Sequence, residues 1–170
     1  QTEMEGKFRP GHFNGVATVV AKFFHVVHPH KSYFGQKDIQ QVAVVKALVD
    51  ALSFQTEVVV VPTYRERSGL AMSSRNQRLT DSEIILAAEI YRTLTFIKKE
   101  LLKGAGVLEL RQKEITRLEQ NYGFRVEYLE LTKASNLENV TILGKGEYAV
   151  CLAAYLGDVR LIDNLVFVSR

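Results

Sequence analysis

Four consecutive valines, Val58 to Val61, stopped by Pro62, constrain this chain more than any other stretch. β-Branched residues are stiff at χ1 and favour extended backbone. A run without polar alternation suits an interior parallel strand buried on both faces, predicted over Thr56–Val61. Upstream, Ser32-Tyr33-Phe34 reads as a second short strand. Between the two lies an apolar-rich helix, Ile39 to Leu52, whose Val42, Val45, Leu48, Val49 and Leu52 cover a wide arc. A further helix is predicted from about Asn14 to His28, with Val16, Val19, Val20, Phe23, Phe24 and Val27 at three- and four-residue spacing, and Pro29 stops it. Helix–strand–helix–strand order implies right-handed crossovers in a parallel sheet.

Parallel sheets bind ligands outside the carboxyl ends of their strands. Gly35-Gln36-Lys37-Asp38 and Thr63-Tyr64-Arg65 both follow strand ends, so they are expected on one edge. Gly35 is expected to let the chain turn without a Cβ penalty. The helix start that follows offers backbone N–H groups to an anion. Lys37 adds a positive charge there, and Gln41, four residues on, shares its helix face. An ammonium beside an amide suits a phosphate and a small polar substrate. By pattern alone, a solvated Lys-Asp helix start reads equally well.

Composition shifts after Asn76. Thr80-Asp81-Ser82-Glu83 is a capping box ahead of a helix predicted to reach Lys103, with Gly104 at its stop. A second helix, Val107 to Asn121, ends before Gly123. Strands are predicted over Phe124–Leu131, Val140–Leu143, Glu147–Tyr155 and Val159–Val168, with Gly144-Lys145-Gly146 and Gly157-Asp158 as turns. Two helices followed by hairpin-linked strands make a compact α+β unit. The domain boundary is expected near residue 78.

With 46% hydrophobic and 24% charged residues, this is an ordinary globular composition. A net charge of +3 is mildly basic, but Lys and Arg are scattered, so an anionic small ligand is preferred over nucleic acid. Cys151 is the only cysteine, which rules out an intrachain disulfide. It lies in an apolar run that reads as a buried, inert thiol. No apolar run spans a bilayer and no signal pattern opens the chain, so a cytoplasmic protein with no membrane partner is expected. The start, Gln1-Thr2-Glu3-Met4, carries neither an initiator methionine nor a helix start, as expected of a chain cut from a longer one. His25, His28 and His30 cluster, but His30 lies beyond Pro29 and no acidic or Cys ligand stands nearby. They are read as helix-end residues and no metal site is assigned.

Five stretches, in order, resemble the pantothenate synthetase (pantoate–β-alanine ligase) family. They are Arg9-Pro10-Gly11-His12-Phe13, Phe34-Gly35-Gln36-Lys37-Asp38 with Gln40-Gln41, Val61-Pro62, Gly69-Leu70-Ala71-Met72-Ser73-Ser74-Arg75-Asn76, and Arg160-Leu161-Ile162-Asp163-Asn164. The family's upstream His-x-Gly-His signature has no counterpart here, so the resemblance is to its C-terminal portion. It implies a partial Rossmann-like (nucleotidyltransferase) parallel sheet over residues 1–78, followed by a small α+β lid domain with antiparallel strands over 79–170.

The resemblance further implies an AMP-forming ligase joining pantoate to β-alanine through a pantoyl adenylate, using ATP and Mg2+, and acting as a homodimer. Gly35, Gln36, Lys37 and Asp38 would line the ATP site, although the family often has Glu where Gln36 stands. Tyr64 would face adenine through its backbone. Met72, Ser73, Ser74 and Arg75 resemble a mobile phosphate-binding loop, with Gly69 giving it flexibility; without the other motifs they read as a polar turn. Lys37, Ser73, Ser74 and Arg75 are the expected catalytic residues. Gln41 would hold pantoate, with Arg9 and His12 lining its pocket, while Arg160–Asn164 would shape strands. Two alternatives stand beside the ligase: another adenylate-forming nucleotidyltransferase, and a non-catalytic folding or dimerisation module.

Overall fold

The computed structural model describes residues 4–170. Gln1–Glu3, on which most of the expectation for the chain start falls, lie outside the described residues. Packing divides the chain into two compact units, Gln1–Pro62 and Thr63–Arg170. The first break thus falls upstream of the boundary expected near residue 78, because Thr63–Arg78 is fastened by hydrogen bonds to the strands of the second unit.

The first unit opens with a single helical turn, α1 (Glu5–Phe8), followed by α2 (His12–Val27), β1 (Lys31–Gly35), α3 (Ile39–Ala51) and β2 (Glu57–Val61). β1 and β2 pair in parallel, Lys31 opposite Glu57 through Gly35 opposite Val61, so both strands end at one edge. α2 packs on α3, burying Phe13, Phe24, Val42 and Val45. Phe54 closes this small core edge-on against Phe24, with ring centroids 5.4 Å apart. The valine run is a parallel strand as expected, but Val58–Val60 are only half-buried and Val61 is exposed. Among the described residues β2 has one strand neighbour, β1, and α3 packs against it.

Gly35 departs from its expected role. Its φ of −72° and ψ of 131° are ordinary extended backbone, and a Cβ there would meet nothing within 4 Å. The turn is made instead by a short 3-10 segment, Gln36–Asp38, which leads into α3. Gly11 is the glycine that the backbone does require, at φ +76° immediately before α2.

The second unit is α4 (Asp81–Ala87), α5 (Glu89–Leu102), α6 (Val107–Tyr122), β3 (Phe124–Lys133), β4 (Gly146–Leu156) and β5 (Val159–Ser169). The strands form one antiparallel sheet, ordered β3-β4-β5. α5 packs on β4 and β5, and α6 packs on β3. Leu94, Leu118, Leu129, Leu152 and Ala154 are fully buried between helices and sheet. The capping box forms as read: Glu83 N donates to Thr80 Oγ1, and Thr80 N to Glu83 Oε2. The helix predicted to follow it is broken at Ala88 into α4 and α5.

Val140–Leu143 is not a strand. Asn139 makes one bridge to Thr132 and Val140 N donates to Leu131 O; the chain then turns away, with Gly144 N held by the Tyr148 hydroxyl. Cys151 is buried in β4, and burial pushes its thiol up to about 12. It is inert, as expected.

Candidate functional site

In the first unit, the two motifs nearest the N-terminus come together. The edge where β1 ends carries the Gln36–Asp38 turn and the first residues of α3. α1 is tied to that helix by Glu5 N donating to Gln40 Oε1 at 2.7 Å, and Arg9 pairs with Glu5 at 3.7 Å. His12, the first residue of α2, senses this surrounding electrostatically. Burial pushes its imidazole below the ordinary value, and the Arg9 guanidinium reinforces that. Glu5 and Asp38 pull the other way. Arg9 and His12 therefore share one neighbourhood with Asp38, which lies 26 residues beyond His12 in the sequence. Lys37 and Gln41 are half-buried and Asp38 is exposed. Lys37 lies in the 3-10 turn and Gln41 in the first turn of α3, rather than both on one continuous helix. A cation, an imidazole held toward its neutral form and an amide at one strand edge suit a small anionic ligand.

Two of the three histidines read as helix-end residues lie at the end of α2. His25 rests edge-on against Phe54 at 4.9 Å, and His28 ends α2 in the left-handed region. No group of three His, Cys, Asp or Glu side chains among the described residues is placed to hold a metal.

In the second unit, the Met72–Asn76 stretch is more ordered than a plain loop. Tyr64–Glu66 and Leu70–Met72 run antiparallel, joined by Met72 N to Tyr64 O and Glu66 N to Leu70 O, each at 2.9 Å. Ser73 then caps a 3-10 turn, Ser74–Arg78, its hydroxyl accepting from Arg75 N at 3.2 Å. Asn76 is buried and donates to both Glu66 Oε1 and Ala71 O, each at 3.1 Å. Ser74 is exposed and Arg75 half-buried. Arg75 Nη1 reaches the Arg160 carbonyl at 3.4 Å, which leaves the rest of its fork for other acceptors. Tyr64 and Met72 present exposed side chains, so what Tyr64 fixes is its backbone carbonyl, used by Met72 N.

Gly69 does not play the flexible part expected of it. It sits at φ +93°, and a Cβ there would lie 2.6 Å from Tyr91 Cδ1. Close approach, not mobility, is what requires glycine at this point.

The sequence reading missed Arg65. Its guanidinium donates to Asp163 Oδ2 at 2.6 Å, Asp163 Oδ1 at 3.0 Å, Gly69 O at 3.1 Å and Asn164 O at 3.3 Å. It also lies 3.8 Å from the Tyr91 ring centroid. Asp163 was in view as part of the last motif, but no periodicity reports a pairing across 98 residues. Arg160 shapes its strand as expected, bridging the Glu127 carboxylate at 2.6 and 2.7 Å.

A parallel strand–helix–strand unit with a basic turn at its strand ends, followed by a helix-backed antiparallel sheet, defines an α/β protein of nucleotidyltransferase-like fold. The family model described as pantoate-beta-alanine ligase matches residues 1–166. The chain belongs to that family. It is 48% identical over 167 residues to the pantothenate synthetase of Cytophaga hutchinsonii, covering 97% of this chain and 59% of that one. It is 46% identical to the pantothenate synthetase of Neisseria meningitidis serogroup B, over 97% of this chain and 59% of that one. Among solved structures, pantothenate synthetase from Thermus thermophilus superposes with a TM-score of 0.89 at 40% identity, over 96% of this chain and 59% of the other. The pantoate-beta-alanine ligase of Francisella tularensis, solved with beta-gamma ATP and beta-alanine, gives 0.69 at 36% identity, over 97% and 54%. The chain thus spans a little over half the length of the relatives it matches.

Proposed function

We propose that this chain is the C-terminal portion of an ATP-dependent ligase that condenses pantoate with β-alanine. The pantoate carboxylate attacks the α-phosphorus of ATP, the bond to pyrophosphate breaks, and a pantoyl adenylate forms. The β-alanine amine then attacks the acyl carbon, the acyl–phosphate bond breaks, AMP leaves, and the amine loses its proton. The observation that carries this reading is the strand-edge cluster of Lys37, Asp38, Gln41, Arg9 and His12. It offers charge and hydrogen bonds to a small carboxylate and a phosphate, on a chain whose relative from Francisella tularensis was solved with an ATP analogue and β-alanine.

Lys37 supplies charge to the triphosphate as pyrophosphate leaves. Unit charges about 4 Å apart interact by roughly 4 kcal/mol at an effective dielectric near 20. Gly35, Gln36 and Asp38 line the nucleotide site, and Tyr64 serves through its backbone. Gln41 holds pantoate, with Arg9 and His12 beside it. Met72, Ser73, Ser74 and Arg75 bind phosphate: both hydroxyls still have hydrogens to donate, and Arg75 offers a planar fork. Mg2+ would be held through the phosphates of ATP, where it would offset their charge, and no side chain of this chain is assigned to it. Residues 1–78 serve as half of the nucleotide domain and residues 79–170 as its lid, in a cytoplasmic homodimer.

The chain by itself does not turn over, since the family's His-x-Gly-His signature is absent from it. A coupled AMP-release assay with ATP, magnesium, pantoate and β-alanine tests both parts. The 170-residue chain should release no pantoate-dependent AMP. Completed to family length it should, and Lys37→Ala should then slow adenylate formation by about two to three orders of magnitude, the scale of losing one transition-state donor. Near-normal adenylate formation in Lys37→Ala by rapid quench removes Lys37 from the mechanism. Rapid turnover by the chain alone refutes the need for a further portion.

A further inference from the structure

We propose that Arg65 is a positioning residue that holds the Ser73–Arg75 segment in its phosphate-binding shape, an inference that rests on the phosphate role given above to that segment. One guanidinium ties three stretches together. It grips both Asp163 oxygens on β5, donates to the Gly69 carbonyl within its own turn, and stacks on Tyr91 of α5. Asp163 is almost fully buried, and its Oδ1 also accepts from Asn164 N at 2.8 Å, so the carboxylate that Arg65 grips is held from a second direction as well. The antiparallel turn that Arg65 anchors runs directly into Ser73. From the same turn, Glu66 and the Ala71 carbonyl take the two N–H bonds of the Asn76 amide and hold the 3-10 segment from its far side.

The chain of contacts is therefore β5, Arg65, the turn, Asn76, and the Ser73-capped segment that carries Ser74 and Arg75. A lysine could keep the charge opposite Asp163 but has no planar fork with which to reach Gly69 and Asn164 as well. Gly69 belongs to the same device, since any side chain there would strike Tyr91 and lift the turn from its seat. Positional errors near an ångström cost up to about a hundredfold in rate when the displaced group acts on the reacting atoms.

The test uses Arg65→Ala, Arg65→Lys and Arg75→Ala, made in the chain completed to family length. Hydrogen exchange, read by peptide, and ATP titration are the two readouts. Arg65→Ala should speed exchange at residues 72–76 by about tenfold or more while α6 stays protected, the pattern of a local opening. It should also weaken ATP about tenfold without changing the KM for β-alanine. Arg65→Lys should keep the thermal midpoint near normal yet recover neither loop protection nor ATP affinity. Uniform loss of protection across the unit in Arg65→Ala, or full recovery by Arg65→Lys, makes Arg65 a stability residue only and overturns the proposal. If Arg75→Ala weakens ATP and Arg65→Ala does not, positioning by Arg65 is wrong while the phosphate role stands. If Arg75→Ala leaves ATP binding unchanged, the phosphate role itself fails and this inference falls with it.

Discussion

The two units of this chain solve the problem of burial differently. The second wraps α5 and α6 over three antiparallel strands and closes around Leu94, Leu118, Leu129 and Leu152, with exposures of 0 to 1%. Part of its polar interior is paired as well: Arg117 binds Glu114, Glu89 and the Thr93 hydroxyl at 2.7 to 3.1 Å. The first has two strands, and on α2 alone it leaves Val19, Phe23, Val26 and Val27 more than half exposed. A two-stranded sheet is marginal without further cover. Yet the first unit carries the lysine, histidine and amide of the candidate ligand edge. The candidate ligand residues are split between the two: Lys37, Gln41 and His12 stand on the unit with the open core, and Ser73, Ser74 and Arg75 on the unit with the closed one.

The sharpest test of that contrast is a pair of truncations. Leu118→Ala empties a fully buried site and should destabilise the second unit by about 2–5 kcal/mol. Phe23→Ala removes a larger side chain that is 61% exposed, and should cost under about 1 kcal/mol. Both are measured by chemical denaturation with probes in each unit. A Phe23→Ala cost as large as that of Leu118→Ala would mean that α2 is covered in solution, and the contrast would break.

A smaller effect probes how the second unit's helices begin. Thr80→Ala deletes the hydroxyl that caps α4 and should cost about 1 kcal/mol, read as a lower midpoint in the second unit. The capping bonds from Thr80 hold the Glu83 carboxyl below its usual value. The contribution is thus present at neutral pH and lost as pH falls through the depressed value. In Thr80→Ala that acid-side loss should shrink only by the hydroxyl's share, because the residue 80 N–H still donates to Glu83; Glu83→Gln should abolish it, and an unchanged acid profile in Glu83→Gln would take Glu83 out of the cap.

What was legible in the sequence follows the range of the forces involved. The capping box and the αL stop at Gly123 depend on residues a few positions apart, and local pattern reports them; the wide apolar arc of α3 is buried only at Val42 and Val45. The parallel pairing followed from element order. What pattern missed was long-range or conditional. One predicted helix is interrupted at Ala88, whose backbone nonetheless stays in the right-handed helical region. The Val140–Leu143 run is strand-like in composition, but after Val140 N bonds Leu131 O of β3 the chain bends away instead of pairing. Gly35 sits in ordinary extended backbone with open space around it, whereas Gly69 needs glycine for its positive φ and the nearby Tyr91 ring, and neither fact is local to the sequence. The site motifs were visible as short strings, and the string Arg160–Asn164 contained Asp163, but its partner Arg65 lies in a segment with no periodic signal.

The smallest predicted effect separates the two units by pH. Burial, aided by Arg9, holds the His12 imidazole below its ordinary value of 6.5. At pH values between that lowered value and 6.5 the unfolded chain therefore binds more protons than the folded one. The stability of the first unit should fall as pH drops from about 7 through this window and stay flat above it. The second unit behaves otherwise. Burial alone would raise the Glu89 carboxyl, but hydrogen bonds and charge from Arg92 and Arg117 outweigh it and set it below 4.5. Its loss of stability should begin only in the carboxylate range, at lower pH. Hydrogen exchange measured from about pH 7 to about pH 4, with rates corrected for intrinsic pH dependence, reads both units in one sample. α2 peptides should lose protection before α6 peptides do. His12→Gln has no titrating ring and should abolish the early loss in α2 while leaving α6 unchanged. Identical profiles for α2 in the parent and in His12→Gln would show that another group near Arg9 and Asp38 controls the acid response of the ligand edge.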